Sequence, residues 1–431
     1  MKIAVVGGGR MGLPLACCMA ENGATVTVCD VKPALINQIN AGTCPYEEPE
    51  LDAYLERNVK AGRLDATTDT KAAAAKVDAV IVIVPALLTE AKEIDYATLL
   101  DASQAIGDGM KSGLLVCYET TVAVGGTRNV MIPALEEASG MRAGQDFSVA
   151  FSPERVKANR VFERLKTTPK VVGGVDAPSA ERAGAMYAAY LGAEIVNVGS
   201  LEAAELTKLA GMLYRDVNIA LANELAAYSE RVGVDFAAVL EANKDHETHL
   251  LKPGIGVGGH CTPVYPYFVI QDAMRHHVPQ KLSTAARAIN DDQPRRNVER
   301  LEKAWSALKG RRVHVLGLGF RPNVKVSAMS PAFDLQKALE ARGAVVSIED
   351  PFYTDAELAS AGFASAKVGV DALDAVILNT AHRAFEHPDF AAWRAAGVEA
   401  VVDGQRTWNP ADVARAGILY LGVGRGETVA E

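Results

Sequence analysis

The chain reads as an α/β protein in which two parallel-sheet domains are joined by a central helical domain with one long helix. Three observations predict this. The opening residues run strand, glycine turn, helix, strand; the same order returns after Arg311; and between them "LEAAELTKLAGMLYRDVNIALANELAAYSERVG" continues for about thirty residues without a proline. At 431 residues the chain exceeds one ordinary core, so two or three domains are expected, divided as 1–195, 196–300 and 301–431.

The elements follow in order. "KIAVVGGGRMGLPLACCMAENGATVTVCD" predicts a buried strand at Ile3 to Val6, a helix from about Met11 to Asn22 and a second strand from Thr25 to Cys29. "VDAVIVIVP" and "GLLVCYETT" add buried strands, and "KAAAAK" and "YATLLDASQAI" the helices between them, as a doubly wound parallel sheet requires. The helical region covers about Ser200 to Asn290 and holds "GIGVGGHCTPVYPYF", whose four glycines between Gly254 and Gly259 forbid regular structure. After it, "RRVHVLGLGFRP", "SPAFDLQKALEARG" and "AVVSIEDP" rebuild the strand, turn, helix and strand, and "DAVILNTAH" and "EAVVDGQ" extend the second sheet.

Composition narrows the function. Hydrophobic residues at 49% and charged residues at 23% match ordinary globular usage, which argues against long disorder. A net charge of -9 disfavours a nucleic-acid partner, which needs excess Lys and Arg. The six cysteines, at 17, 18, 29, 44, 117 and 261, show neither a C-x-x-C pair nor zinc spacing, so reduced thiols in a cytoplasmic protein are expected. No stretch reaches about 18 unbroken apolar residues, so no membrane span is expected. "HETH" at His246 to His249 places histidines at i, i+3 and not the i, i+4 of a zinc helix, and no metal is assigned. His276 and His277 read as surface residues.

Gly7, Gly9 and Gly12 form G-x-G-x-x-G directly after a strand and into a helix. Small residues there let backbone N–H groups and the helix N-terminus approach a pyrophosphate, the signature of a Rossmann-like domain. Asp30 closes the next strand, where a carboxylate accepts from ribose hydroxyls and repels a 2′-phosphate, so NAD is favoured over NADP. Arg10 and Lys32 are cations beside that site that could accommodate the extra phosphate. The later turn has only Gly317 and Gly319 before Phe320, so a second dinucleotide is not expected, although another phosphate-bearing ligand could use it.

"GGGRMGLPLA", "ETTV", "SPER", "EAAELTKLA", "RDVNIALANELA", "GIGVGGHCTPVYPYF" and "SPAFDLQKAL", in that order, resemble the UDP-glucose/GDP-mannose dehydrogenase family, most closely its UDP-N-acetylmannosamine branch. The resemblance implies a nucleotide-sugar substrate whose CH2OH is oxidised to a carboxylate with NAD, a homodimer built on the central region, and a place in polysaccharide or specialised sugar biosynthesis. Such a four-electron oxidation needs the intermediate aldehyde held as a thiohemiacetal, which yields a thioester on the second oxidation. By this resemblance Cys261 is the nucleophile, Lys208 stabilises oxyanion charge, Glu154 serves the water that cleaves the thioester, and Thr121 positions that water or the sugar. Met11, Pro85 and Thr121 join Gly7, Gly9, Arg10, Gly12, Asp30 and Lys32 at the cofactor. Arg155, Lys252, Gly258, Tyr265, Arg321 and Arg406 join Glu154 and Lys208 at the substrate.

The sequence departs from the family pattern in four places. Met212 stands one turn after Lys208 where an Asn shares the oxyanion, and Tyr265 stands four residues after Cys261 in place of an Asp. Val326 and Ala328 occupy "VSAMS" where an acid and an arginine are expected, and "NKDHETH" replaces a segment containing an arginine. Alternatives therefore stand beside the carboxylate-forming enzyme: oxidation only to an aldehyde on a non-standard nucleotide, a degenerate NAD- and nucleotide-binding homologue, or a β-hydroxyacid dehydrogenase, for which the repeat after Arg311 is superfluous.

Overall fold

The computed structural model describes residues 1–89, 92–156, 160–244 and 248–426. It forms two compact units, 1–211 with 267–276 and 212–266 with 277–431.

In the first unit the strands are β1 (Lys2–Val6), β2 (Thr25–Cys29), β3 (Leu64–Thr67), β4 (Ala79–Val82), a short hairpin of β5 (Leu87–Leu88) and β6 (Ile94–Asp95), then β7 (Leu115–Tyr118), β8 (Ser148–Phe151), β9 (Lys170–Gly174) and β10 (Ile195–Ser200). Eight of them make one sheet in the order β10-β9-β8-β7-β4-β1-β2-β3. Strands β4 and β7 are buried throughout, as their continuous apolar runs demand of a sheet covered on both faces. The order reverses at β1, which pairs with β2 on one side and β4 on the other, and that switch point opens the crevice where an α/β sheet binds its ligand. One pairing departs from the all-parallel expectation. Strand β9 runs antiparallel to β8, because the chain between them packs the helix Val161–Thr167 into the core and enters β9 from the other end.

The first helix spans Gly12–Glu21, one residue inside the predicted limits at each end. The long helix is Leu201–Arg231, 31 residues, or roughly 45 Å at the usual rise.

The second unit carries a six-stranded sheet of β11 (Arg312–Leu316), β12 (Val345–Glu349), β13 (Ala364–Ser365), β14 (Ala375–Leu378), β15 (Ala400–Asp403) and β16 (Leu419–Gly422). Its order is β13-β12-β11-β14-β15-β16 and every pairing is parallel. Ile255, from the glycine-rich loop, is fully buried in the core formed by Val313, Val315, Leu335 and Ile377.

Candidate active site

The first glycine turn is built for close approach. Gly7 takes φ +111°, and a Cβ on Gly12 would lie 1.9 Å from the Gly7 carbonyl oxygen, so only glycine lets the helix start this near β1. Gly9, in contrast, has no atom within 4 Å of its Cβ direction: that face is open space. Asp30 leaves β2 with one carboxylate oxygen accepting from the Gly8 N–H at 2.9 Å and the other from the Lys32 N–H at 3.1 Å. Both oxygens keep a lone pair for a ribose hydroxyl. Arg10 stacks its guanidinium over the Tyr46 ring at 5.5 Å, while the Tyr46 hydroxyl donates to the Gly8 carbonyl. Met11 lies partly buried at the helix start and Pro85 is exposed beyond β4. The open Gly9 face, the free helix start and the Asp30 carboxylate fit a dinucleotide. Replacing Asp30 by Ala should weaken NAD binding about tenfold and erase the preference over NADP, as titration of nucleotide fluorescence would measure.

Glu154 and Lys208 come together. The Lys208 ammonium donates to the Glu154 main-chain carbonyl at 2.5 Å, so the long helix meets the "SPER" turn here. Burial raises the Glu154 carboxyl above its usual value, against the Lys208 ammonium and the Val156 amide that favour its charged form. A carboxyl raised in this way holds or releases a proton nearer neutrality. Thr121 is buried beside Glu119 and Thr120, in the segment following β7. Arg155 is exposed.

Sequence reasoning missed two buried carboxylates in this unit. Glu119 is buried, accepts from the Tyr187 hydroxyl at 2.7 Å and pairs with the Lys170 ammonium at 2.8 Å. Glu205, fully buried and one turn before Lys208, accepts from the Gly125 N–H at 2.6 Å and the Thr127 N–H at 2.9 Å, fixing the chain just after "ETTV". Its i, i+3 spacing from Lys208 was the available signal. Burial pushes the Glu205 carboxyl up to about 7. Because the folded value lies above the unfolded one, its stabilising contribution is full below pH 4.5 and is lost as pH rises through 7. Urea unfolding should therefore show a loss of up to ~3 kcal/mol between about pH 5 and 8 that Glu205→Gln removes.

In the second unit, the cysteine loop is pressed against the chain that follows β11. A Cβ on Gly258 would sit 2.4 Å from the Phe320 Cβ, and one on Gly259, already at φ +99°, 2.8 Å from the Phe320 ring. The Gly259 N–H donates to the Ala328 carbonyl at 2.9 Å, so the unusual "VSAMS" segment contacts the loop through its backbone. Cys261 is exposed, and its carbonyl accepts from the Tyr265 N–H at 2.9 Å, the entry to the helix Tyr265–Arg275. Of the six cysteines it stands apart. Burial pushes Cys18 and Cys44 up to about 11 and Cys29 and Cys117 up to about 12, and Cys17 higher still.

The substrate candidates of this unit differ in exposure. Lys252 is exposed and Arg321 half-buried. Arg406, at φ +57°, donates to both oxygens of Asp235 at 2.8 and 3.0 Å, so its charge is already paired. The second glycine turn repeats the first: Asp350 Oδ2 accepts from the Leu318 and Gly319 N–H groups at 2.8 and 2.9 Å, as Asp30 accepts from the Gly8 N–H. Against the burial that opposes it, His382 and the Gly319 and Phe352 amides hold Asp350 below its usual range. His246 and Glu247 of "HETH" lie outside the described residues; among the described residues no cluster of His, Cys, Asp and Glu could hold a metal. Among them, too, no helix is long and apolar enough to cross a membrane.

Comparison with known proteins gives these features a common setting. Three models of the UDP-glucose/GDP-mannose dehydrogenase family match in order: the NAD binding domain over residues 1–191, the central domain over 202–292 and the UDP binding domain over 314–410. The chain is 31% identical to a UDP-N-acetyl-D-mannosamine dehydrogenase of Pyrococcus horikoshii, over 99% of this chain and 100% of that protein. It is 32% identical to a UDP-N-acetyl-D-glucosamine 6-dehydrogenase of Pseudomonas aeruginosa, over 90% and 92%. The solved structure of the Pyrococcus horikoshii UDP-D-ManNAc dehydrogenase superposes with a TM-score of 0.90 at 30% identity, covering 99% of this chain and 100% of that one. The chain thus belongs to the UDP-glucose/GDP-mannose dehydrogenase family and is an NAD-dependent nucleotide-sugar dehydrogenase.

Proposed function

We propose that the protein oxidises the C6 CH2OH of a UDP-linked N-acetylhexosamine to a carboxylate, through a thiohemiacetal and a thioester on Cys261. The observation that carries this reading is the exposure of Cys261 while burial pushes the other five thiols up. NAD, when bound, accepts one hydride in each of the two oxidations. Lys208 stabilises the negative charge that develops on the substrate oxygen. The Cys261 sulfur adds to the aldehyde carbon, the carbonyl oxygen takes a proton, and the second oxidation leaves an acyl–sulfur bond. Glu154 takes a proton from water as it attacks that bond, the sulfur leaves, and the carboxylate is released. The balance is one alcohol, two NAD and one water to one carboxylate, two NADH and three protons. In this reading residues 1–195 hold NAD, 196–300 carry the cysteine loop, and 301–431 hold the nucleotide.

Met212 favours one other outcome. A thioether donates no hydrogen bond, so an oxyanion stabilised from this helix relies on Lys208, and oxidation that stops at the aldehyde is the second reading. Supplying UDP-N-acetylmannosamine, UDP-N-acetylglucosamine and UDP-glucose with NAD and counting NADH per sugar product separates them. Two equivalents are expected; one would overturn the carboxylate reading.

The assembly is proposed to be a homodimer through the long helix. Leu206, Tyr214, Leu221 and Tyr228 leave 46%, 61%, 45% and 65% of their surfaces exposed and recur every seven or eight residues, a stripe wide enough to seat a second helix. Leu221→Glu with Tyr228→Glu should convert a dimer to a monomer by light scattering.

A further inference from the structure

We infer that Lys170, paired with Glu119, is a positioning residue for Glu154, delivered to the site by the reversal of strand β9. The inference rests on the role of Glu154 proposed above. In a parallel sheet every strand begins at the edge away from the ligand crevice, so a residue that opens a strand lies on the wrong side for chemistry. Strand β9 is the exception: it runs antiparallel to β8, with Ala150 opposite Gly174 and Phe151 opposite Gly173. The same register, carried past the end of β8, sets Lys170 level with Glu154. Just beyond the paired residues the Ser152 hydroxyl donates to the Val171 carbonyl at 2.7 Å, which ties the "SPER" turn to β9. Glu119, following β7, closes the link. Its carboxylate pairs with the Lys170 ammonium at 2.8 Å, and its main-chain carbonyl accepts from the Glu154 N–H at 3.4 Å. All of these residues belong to the first unit.

Stability alone is a poor reason for such a pair. Glu119 is 1% and Lys170 7% exposed, and taking both charges out of water is costly enough that apolar side chains of the same volume often serve a core as well or better. What an apolar pair cannot supply is a field at the neighbouring carboxyl. Among the described residues, the charged groups acting on Glu154 are Lys208 from the long helix, Lys170 from β9 and Glu119 from the end of β7. Burial raises the Glu154 carboxyl; Lys208, the Val156 amide and Lys170 oppose that rise, and Glu119 adds to it. The Tyr187 hydroxyl donates to the other Glu119 oxygen at 2.7 Å and its ring lies 4.6 Å from the Lys170 ammonium, so the pair is held on two sides. In the proposed chemistry Lys208 answers to the reacting oxygen, whereas the charge of Lys170 stays fixed behind Glu154 and keeps it able to take a proton from water.

The test follows the Glu154 carboxyl by infrared absorption across pH, as the difference between each protein and the same protein carrying Glu154→Gln. Two variants should move its titration midpoint in opposite directions. Lys170→Met removes the cation and should raise the midpoint by about one pH unit, while Glu119→Gln removes the opposing carboxylate and should lower it. Lys170→Arg keeps a cation and should leave the midpoint nearer the parent's than Lys170→Met does. If Lys170→Met fails to fold because Glu119 is left unpaired, the double variant Lys170→Met with Glu119→Gln, which buries no charge, takes its place, and its midpoint should lie above that of Glu119→Gln alone. Core support by itself would lower the melting temperature and leave every midpoint where the parent's is. A midpoint unmoved by Lys170→Met, or in the double variant equal to that of Glu119→Gln, would overturn the inference. The titration needs no sugar nucleotide, so a failure of the proposed chemistry, in which the midpoints move as expected yet no thioester forms, is a separate result.

Discussion

Cys261→Ala should abolish carboxylate formation, by at least about a thousandfold, while leaving the affinity for NAD unchanged. The size follows from the role. Without sulfur the aldehyde is not held as a tetrahedral adduct, so no acyl–sulfur bond forms for water to cleave. No other thiol can take over, because burial encloses Cys17, Cys18, Cys29 and Cys117 and pushes Cys44 up to about 11 although it is only half-buried. NAD affinity is spared because the Gly7 to Gly12 turn and Asp30 lie in the first unit and make their hydrogen bonds there. NADH counting and mass analysis of the sugar product give the answer. Any first oxidation that persists should release free aldehyde, which a hydrazine reagent captures.

Lys208→Ala should lower kcat a hundredfold or more, on the order of 3 kcal/mol, with a smaller change in the KM for the sugar nucleotide. The ammonium is anchored on the Glu154 carbonyl and arrives from a helix that places it rigidly. In this chain Met212, one turn further, supplies no donor, so the stabilisation of a developing alkoxide is not shared along the helix. Met212→Asn should then raise kcat in the parent and partly rescue Lys208→Ala, and steady-state kinetics of the four proteins test both effects.

Much of this was legible in the residues. The strand, glycine turn and strand repeats fix both sheets because buried parallel strands demand unbroken apolar runs, and "VDAVIVIVP" and "DAVILNTAH" admit little else. The tight turn at Gly7 to Gly12 was readable because only glycine lets the helix start this near the first strand. The reversed strand β9 was not, since "KVVGG" looks the same in either direction and only the packing of Val161, Phe162 and Leu165 sets its course. Glu205 stayed hidden for a related reason: on helices charged side chains usually face water, and nothing local marks one that turns inward to bind a distant backbone. Asp350 follows the strand in "AVVSIEDP", and its bonds to the second turn become visible only when the fold repeats the Asp30 position.

The central claim is that Cys261 carries the substrate as an ester of its sulfur. Glu154→Gln removes the carboxylate proposed to draw a proton from the attacking water, so acyl–enzyme should outlast its formation. Intact mass of that variant, quenched in acid after mixing with UDP-N-acetylmannosamine and NAD, should rise by one acyl sugar nucleotide, with the added mass on the peptide containing Cys261. Turnover of the sugar to carboxylate by the parent enzyme, with the variant at unmodified mass throughout and Cys261→Ala still forming the acid, would contradict the account.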